Sequence, residues 1–189
     1  MIDPGEEKLL LEKIKKDPKE FGVLFDQYYN KIFGYVLRRT LDYDLASDIV
    51  AETFLKAFLK INSFKWKDIS ISSWLFKIAT NEVNYFYRKQ KYFPASLDLL
   101  LDSSGFDVRN TESFEEEKTR IEKELKGHND FIQVQKMLEQ LPVKYQEVIA
   151  LKYFEEKSIK EISEILGKKE GTVKSLISRG LKKLREFFE

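Results

Sequence analysis

The chain has 189 residues, 42% of them apolar and 14% aromatic, which suffices for one large or two small packed domains. It contains no cysteine, which excludes disulfides and thiolate metal sites such as zinc fingers. The net charge is only +1, and the four prolines and eight glycines are too few for many short strands joined by turns, so helices are favoured.

The N-terminal segment, MIDPGEEKLLLEKIKKDPKE, lacks the basic start and the apolar run of a signal peptide. No stretch of the chain reaches the ~18 consecutive apolar residues of a membrane-spanning helix. We therefore expect a cytoplasmic protein without membrane insertion.

Apolar periodicity predicts helices near 20–40, 44–60 and 72–91, with a loop over 62–72. The helix at 44–60 has a core-like side with Ile49, Val50, Thr53, Phe54, Ala57 and Ile61. Elsewhere on its surface, two leucines lie beside two carboxylates, namely Asp48, Glu52, Leu55 and Leu59. Leucines outside the core side indicate a surface that docks on a protein, although a helix that packs on two sides gives the same pattern.

The helix at 72–91 has two sides of different chemistry. Its packing side carries Leu75, Phe76, Ala79, Val83, Phe86 and Tyr87. Its opposite side carries Trp74, Lys77, Asn81, Asn84, Tyr85 and Arg88. Rings, amides and cations at these spacings suit single-stranded nucleic acid, because bases stack on rings while cations contact phosphates. In the alternative, Trp74 and Tyr85 are core residues and the polar groups are merely solvated.

From residue 92 to 131 the helical pattern breaks, and the composition becomes rich in serine and aspartate and then acidic, which indicates a linker. His128 lies there and is the only histidine, so a solvated side chain is a better interpretation than a catalytic base. The chain has no G-x-x-x-x-G-K-[ST] phosphate loop and no pair of histidines at metal-binding spacing. We expect no enzyme, no catalytic residue, no metal, no cofactor and no small-molecule substrate.

Residues 158–185 predict a helix-turn-helix. Ser158 and Glu161 have the spacing of a capping box, and Gly167 ends the helix that they begin. The next helix has an apolar side with Val173, Leu176, Ile177, Leu181 and Leu184. Its other side is polar and mostly basic, with Lys174, Ser175, Ser178, Arg179, Lys182 and Arg185. Such a helix fits the major groove of DNA, about 12 Å wide, whereas the alternative is a solvated face on an ordinary helical hairpin.

The stretch LPVKYQEVIALKYFEEKSIKEISEILGKKEGTVKSLISRGLKKLRE resembles the fourth conserved region of bacterial RNA polymerase sigma factors, of the small extracytoplasmic-function type. In that family the module recognises the minus-thirty-five promoter element, which implies base contacts from Lys174, Ser175, Ser178 and Arg179. Lys174 replaces a frequent Arg and keeps the charge without bidentate geometry toward guanine. Gly180 replaces a usual Ala, which costs ~1 kcal/mol in a helix interior unless tight packing uses it.

The stretch from Leu24 to Tyr92, with DLASDIVAETFLKAF and SWLFKIATNEVNYFYRK, resembles the second sigma region. The resemblance implies that the helix around Asp48–Phe54 docks on the clamp helices of core polymerase, although Ala51 replaces a usual Gln. It also implies that the Trp74–Arg88 helix and the loop before it melt and capture the minus-ten element. Asn81 matches a base-contacting position, and the loop residues Phe64 and Trp66 lie where a flipped base is held.

Together the resemblances predict an all-α protein of two small helical domains on a flexible linker. The predicted domains are 1–91 (region 2-like) and 132–189 (region 4-like), with the acidic linker over 92–131. The predicted function is that of an alternative sigma factor, which binds core RNA polymerase and promoter DNA, promotes strand opening and is held by an anti-sigma factor. The open alternative is a stand-alone helix-turn-helix regulator in which residues 1–130 sense a ligand or dimerise.

Overall fold

A computed structural model of the chain describes residues 4–64, 69–92, 137–138 and 140–187, and these residues contain helices and no strand. The helices are α1 (Pro4–Lys16), α2 (Phe21–Thr40), α3 (Tyr43–Lys60), α4 (Ile71–Tyr92), α5 (Val143–Ile149), α6 (Ile159–Leu166) and α7 (Glu170–Arg185). The all-α prediction is confirmed, and the predicted bounds of α2, α3 and α4 agree with the structure to within one residue. None of the described helices is both long and apolar enough to cross a membrane.

Helix α1 was not predicted from the sequence. Its signals are nevertheless local: Pro4 stands at its first position, Glu6 and Glu7 lie in its first turn, and three lysines lie in its last turn. It buries Leu11 and Ile14 at 3% and 2% exposure, so it is part of the core of the N-terminal half and not an extension of it.

Helices α2, α3 and α4 pack against one another and form the N-terminal module, together with α1. The side chains predicted for the core side of α3 are all buried, as are Leu75, Phe76, Ala79 and Val83 of α4. Tyr35 of α2 is fully buried; its ring meets the Phe76 ring edge-on at 5.2 Å, and its hydroxyl lies 2.8 Å from the Thr80 hydroxyl. This contact fixes the rotation of α4 relative to α2.

Helices α5, α6 and α7 form the C-terminal module. The predicted capping box is confirmed: the Glu161 N–H donates to the Ser158 hydroxyl over 3.2 Å, and the Ser158 N–H donates to the Glu161 carboxylate over 2.8 Å. Gly167 ends α6 at φ 62°, a left-handed conformation that favours glycine. The turn from Gly167 to Lys169 then sets α7 across α6.

On α7, Val173 and Ile177 are buried and Leu176 and Leu184 are half-buried, as the apolar pattern predicts. The prediction is wrong for Leu181, which is 41% exposed. Gly180, one residue earlier, is buried instead.

Gly180 lies where α7 crosses α5. A Cβ at this position would lie 3.2 Å from Ile149 Cδ1 and 3.3 Å from Tyr145 Cβ, closer than ordinary van der Waals contact. Tight packing therefore uses the glycine, and the two helices approach more closely than an alanine would allow without adjustment.

The Gly180→Val variant of the full chain should lose about 1–3 kcal/mol of unfolding free energy, because overpacking forces α5 and α7 apart. Gly171→Ala, in the same helix but with nothing within 4 Å of its Cβ position, is the matched control. It should be neutral or gain up to about 1 kcal/mol. Urea unfolding followed by circular dichroism measures both; equal effects of the two substitutions would contradict the packing argument.

Candidate nucleic-acid interface

The first candidate surface lies on α7 and is called the α7 face: Lys174, Ser175, Ser178 and Arg179. The structure leaves all four side chains exposed, on the side opposite the buried Val173. The Ser175 hydroxyl donates to the carbonyl of Gly171 over 2.9 Å, so its oxygen is left as an acceptor. Capping box, left-handed Gly167 and buried apolar side together hold this face outward.

Positive charge extends beyond the α7 face. Lys182, Lys183 and Arg185 are exposed in the last turns of the helix, and the only acidic residue in α7 is Glu170 at its start. This is a one-sided basic surface of the kind that neutralises phosphates. Lys168, in the turn before α7, lies 3.6 Å from a Glu147 carboxylate oxygen and is therefore partly engaged within the protein.

The second candidate surface lies on α4 and is called the α4 face: Lys77, Asn81, Tyr85 and Arg88. Asn81, Tyr85 and Arg88 are exposed, Tyr85 with 56% of its surface, and Lys77 is half-buried. The four residues follow one another at intervals of three or four, so they form a strip along the helix. An exposed ring that shares a helix strip with two cations and an amide has the chemistry of a surface for unpaired bases.

The helical projection placed Trp74 on the same open side, and the structure differs there. Trp74 is half-buried against the ring of Phe64, with 4.6 Å between the ring centres. Phe64 is itself only 8% exposed, so it is a packed residue and not an open loop side chain. Trp66 lies outside the described residues.

Asn84 is likewise not free. Its side-chain oxygen accepts a hydrogen bond from Arg39 Nη2 over 2.8 Å, and its amide nitrogen donates to Glu147 Oε2 over 3.2 Å. Arg39 and Glu147 are both buried, at 3% and 4% exposure. Asn84 therefore joins a buried cation of the N-terminal module to a buried anion of the C-terminal module, which compensates part of their desolvation.

The third candidate surface lies on α3 and is called the α3 face: Asp48, Glu52, Leu55 and Leu59. Asp48 is exposed, and Leu55 and Leu59 expose 52% and 69% of their surfaces. Glu52 is half-buried and pairs with Lys56 at 3.0 Å, which also pairs with Glu82 of α4 at 2.6 Å. Among the described residues, packing leaves at least half of each leucine exposed, so contacts within this part of the chain do not explain them.

Two exposed rings that were not predicted from the sequence belong to this surface. Phe58, between the two leucines, is 39% exposed, and Phe25 of α2 is 37% exposed. The Phe58 ring packs edge-on against Phe21 at 5.1 Å, and the Phe25 ring lies 4.8 Å from Phe54. Phe58 follows Leu55 by three residues, so the sequence spacing is enough to place it on this surface. Phe25 belongs to the surface because α2 packs on α3, which the spacing within α3 does not show.

Acidic groups border the apolar part of the α3 face. Partial desolvation by its neighbours raises the pKa of Asp48 above its ordinary value, although the side chain is exposed. The nearby carboxylates of Asp44 and Asp42 raise this pKa further. The start of α3 is therefore an electronegative edge beside exposed leucines, which favours a partner surface that is apolar and basic.

The two modules contact each other directly through the module interface: Arg38, Ser72 and Asn84 on one side and Glu147, Glu155 and Lys157 on the other. Arg38 forms an ion pair with Glu155, with 19% and 7% of the two side chains exposed. The Lys157 ammonium donates to the Ser72 hydroxyl over 2.8 Å and lies 4.9 Å from the centre of the Phe76 ring. Burial raises the pKa of Glu155, and the Arg38 guanidinium opposes this shift.

The backbone that carries Glu155 and Lys157 is irregular. A π-helical turn, Ala150–Phe154, follows α5, and Glu156 then adopts φ 52°, a left-handed conformation unusual for a side chain of this size. Because of this reversal, Glu155 and Lys157 are directed toward α2 and α4 while α6 begins at Ile159.

Two family models match the chain. The model described as Sigma-70 region 2 matches residues 24–92, and the model described as Sigma-70, region 4 matches residues 131–184. The first match ends where α4 ends and contains the α3 and α4 faces; the second contains the α7 face. The first match has the bounds of the first resemblance, and the second match overlaps the second resemblance but begins ten residues before it.

Similar proteins span the whole chain. The sigma factor SigW of Bacillus subtilis, described as an ECF RNA polymerase sigma factor, is 34% identical over 185 residues, which cover 95% of each chain. The ECF RNA polymerase sigma-E factor of Haemophilus influenzae is 30% identical over 185 residues, which cover 95% of this chain and 93% of that one. Full-length similarity favours a sigma factor over a stand-alone helix-turn-helix regulator.

Solved structures have the same fold. CnrH in complex with the cytosolic domain of CnrY aligns with a TM-score of 0.68 at 20% identity, over 96% of each chain. The sigma factor RpoE in complex with the anti-sigma factor NepR, from Bartonella quintana, aligns with a TM-score of 0.62 at 20% identity, over 90% of this chain and 97% of that one.

The module interface predicts a charge-reversal phenotype. Arg38→Glu should shift the equilibrium between contacting and separated modules toward separation by about a hundredfold or more, because loss of one partner of a buried ion pair costs about 3–5 kcal/mol. Since the chain has no cysteine, single cysteines at the exposed Ser63 and Lys183 provide a specific label pair for distance measurement by fluorescence transfer.

The double variant Arg38→Glu with Glu155→Arg should restore the short distance. Lys160→Glu, an exposed charge reversal on α6, is the matched control and should leave the distance unchanged. A label distance in Arg38→Glu equal to that of the unmodified protein would contradict the importance of the ion pair.

Proposed function

The chain belongs to the extracytoplasmic-function group of RNA polymerase sigma factors, and we propose that its α3, α7 and α4 faces bind polymerase, the minus-thirty-five element and the minus-ten element, respectively. Members of this family are transcription initiation factors and not enzymes; they direct RNA polymerase to promoters. We place the work of this chain in the cytoplasm, where polymerase and promoter DNA are found.

The exposure of the α7 face supports its role in minus-thirty-five recognition. Lys174 and Ser175 lie in the second turn of α7, where a helix that enters the major groove end-on contacts base edges. The basic residues after Arg179 extend toward the phosphates. Lys174 supplies a point charge, so Arg179 is the side chain here that can bind a guanine through two hydrogen bonds.

The α4 face supports capture of the minus-ten strand. Unstacking a base costs a few kcal/mol, and an aromatic ring returns about 1–3 kcal/mol for each base that stacks on it. Tyr85 is the exposed ring, Asn81 an exposed amide that recognises base edges, and Arg88 an exposed cation for the phosphates. Phe64 packs on Trp74 beside this strip, so a role for Phe64 with Trp66 in holding a flipped base requires the Phe64 ring to leave Trp74.

The α3 face supports docking on core polymerase. Apolar surface is exposed here by Leu55, Phe58 and Leu59, beside the electronegative edge at Asp48. This exposure does not stabilise an isolated domain, so it favours contact with a partner. An apolar centre with a charged rim is the usual composition of a protein interface. With Ala51 in place of the Gln usual in the family, the apolar contacts carry more of the docking here.

Use of both DNA-binding faces requires the modules to separate. The two promoter elements lie about 25 base pairs apart by their names, or about 85 Å at 3.4 Å per base pair. A compact chain of this length has a radius of gyration of only about 16 Å. We call the arrangement in which the two modules are in contact the closed arrangement. In it, the side chains of Asn84 and Ser72 of α4 form hydrogen bonds with the C-terminal module. Polymerase binding must therefore replace the module interface.

We further propose that an anti-sigma factor holds this chain inactive. Two solved structures with the same fold are complexes, one with the cytosolic domain of CnrY and one with the anti-sigma factor NepR. An exposed apolar α3 face is a surface that such a partner can cover in competition with polymerase. The partner would then favour the closed arrangement.

Purified protein with core polymerase should produce transcripts from a selected promoter that neither component produces alone.

Arg179→Ala should relax base preference in the upstream, minus-thirty-five element, at about 1–3 kcal/mol for a lost bidentate contact. Asn81→Ala should change preference in the downstream element only. Selection from a randomised promoter library measures both, and an exchanged pattern would contradict the assignment of the faces.

Leu59→Ser should weaken binding to core polymerase by about tenfold or more, because a large apolar side chain contributes about 1.5–3 kcal/mol when it is buried. Leu9→Ser on α1, where the leucine is 55% exposed, is the matched control and should bind normally. Fluorescence anisotropy of the labelled protein titrated with core polymerase gives the dissociation constants. Equal constants for the two variants would place the docking surface elsewhere.

A further inference from the structure

Helix α1 lies before residues 24–92, which match the region 2 model, and it contacts the start of α4. Glu7 of α1 is only 5% exposed. One of its carboxylate oxygens accepts a hydrogen bond from the Tyr28 hydroxyl over 3.0 Å, and the other accepts from the backbone N–H of Ile71 over 3.3 Å. Ile71 is the first residue of α4.

The position of this carboxylate is chemically specific. The first N–H groups of a helix have no partner within the helix and carry partial positive charge, so a carboxylate stabilises that end. Two residues further on, the N–H of Ser73 donates to the Ser70 hydroxyl over 3.1 Å. Burial and the Glu7 charge both raise the pKa of Tyr28, so its hydroxyl stays a donor to Glu7. Glu7 is thus held by α2 and in turn holds α4.

A second contact from α1 is made with Phe64, before residues 65–70, whereas Glu7 contacts Ile71, after them. The Lys15 ammonium donates to the carbonyl of Phe64 over 3.1 Å, and the Phe64 ring packs on Trp74 in the first turn of α4. Lys15 and Glu7 are eight residues apart on α1, and they bind the chain before and after residues 65–70. One rigid helix therefore sets the spacing of Phe64 and Ile71.

Stability alone does not account for a buried carboxylate here. Burial of a charge costs several kcal/mol, and an apolar side chain of similar volume often gives equal or greater stability. What Glu7 supplies, and an apolar residue does not, is a directional bond that fixes where α4 begins.

We propose that Glu7, assisted by Lys15, is a positioning residue for capture of the minus-ten bases. It acts through the first turn of α4 and the Phe64–Trp74 pair and does not touch DNA. This inference rests on the proposed function of the α4 face and adds α1 to the elements on which strand opening depends.

The test compares Glu7→Gln with Glu6→Gln, an exposed control one residue earlier on α1. Each protein is combined with core polymerase on two promoters, one fully duplex and one with its minus-ten bases already unpaired by mismatch. Open complexes are measured on both promoters as the fraction of DNA that stays bound to polymerase after a challenge with a polyanionic competitor. On the duplex, Glu7→Gln should lose on the order of tenfold, since small errors of position are costly. On the unpaired promoter, where unstacking is already achieved, the loss should be about twofold or less.

Two further variants distinguish position from stability. Tyr28→Phe removes the other bond of Glu7 but leaves the Ile71 bond, so it should open the duplex nearly as the unmodified protein does. Lys15→Met, at an exposed side chain with Lys16→Met as its control, should show a smaller loss confined to the duplex and covers the case in which Glu7→Gln fails to fold.

Equal losses on both promoters, or no loss in Glu7→Gln and Lys15→Met, would overturn the proposal. Absence of open complexes with the unmodified protein would instead overturn the proposed function.

Discussion

Helix α4 packs against α2, α3 and the C-terminal module at once, and this constraint decides which of its side chains remain available. Phe76 and Ala79 are used by the core, Trp74 by Phe64, and Asn84 by the module interface. The strip of Lys77, Asn81, Tyr85 and Arg88 stays at least partly open to solvent. A helix surrounded in this way keeps one orientation, which favours a surface that must distinguish unpaired bases.

Local signals made much of this architecture predictable. A capping box, a left-handed glycine and regular apolar spacing gave α6 and α7, and periodicity gave the bounds of α2, α3 and α4. The sequence did not reveal partners distant along the chain: Glu147 lies 63 residues from Asn84, and Glu7 lies 64 residues from Ile71. A helical projection shows which side of a helix a residue lies on but not which residues of other segments pack there. Trp74 was therefore placed on the open side, although Phe64 packs against it. The roles of the three faces stay predictions.

Beside the packing of α4 on α6, the module interface contains an ion pair, side-chain hydrogen bonds and a cation over a ring. Such an interface resembles those of domains that move relative to each other, because water or a new partner can replace its polar contacts. The unusual backbone of Ala150–Phe154 and Glu156 directs Glu155 and Lys157 to this interface. The left-handed conformation of Glu156 costs free energy, which the contacts of Glu155 and Lys157 across the interface help to offset.

The central claim is that this chain and core polymerase together unstack promoter bases. A 2-aminopurine placed within the minus-ten element of a duplex promoter increases its fluorescence when it leaves the stack. The account predicts an increase when chain and core polymerase are added together, and none with either component alone. A steady signal in the complete mixture, or an increase with core polymerase alone, would contradict it.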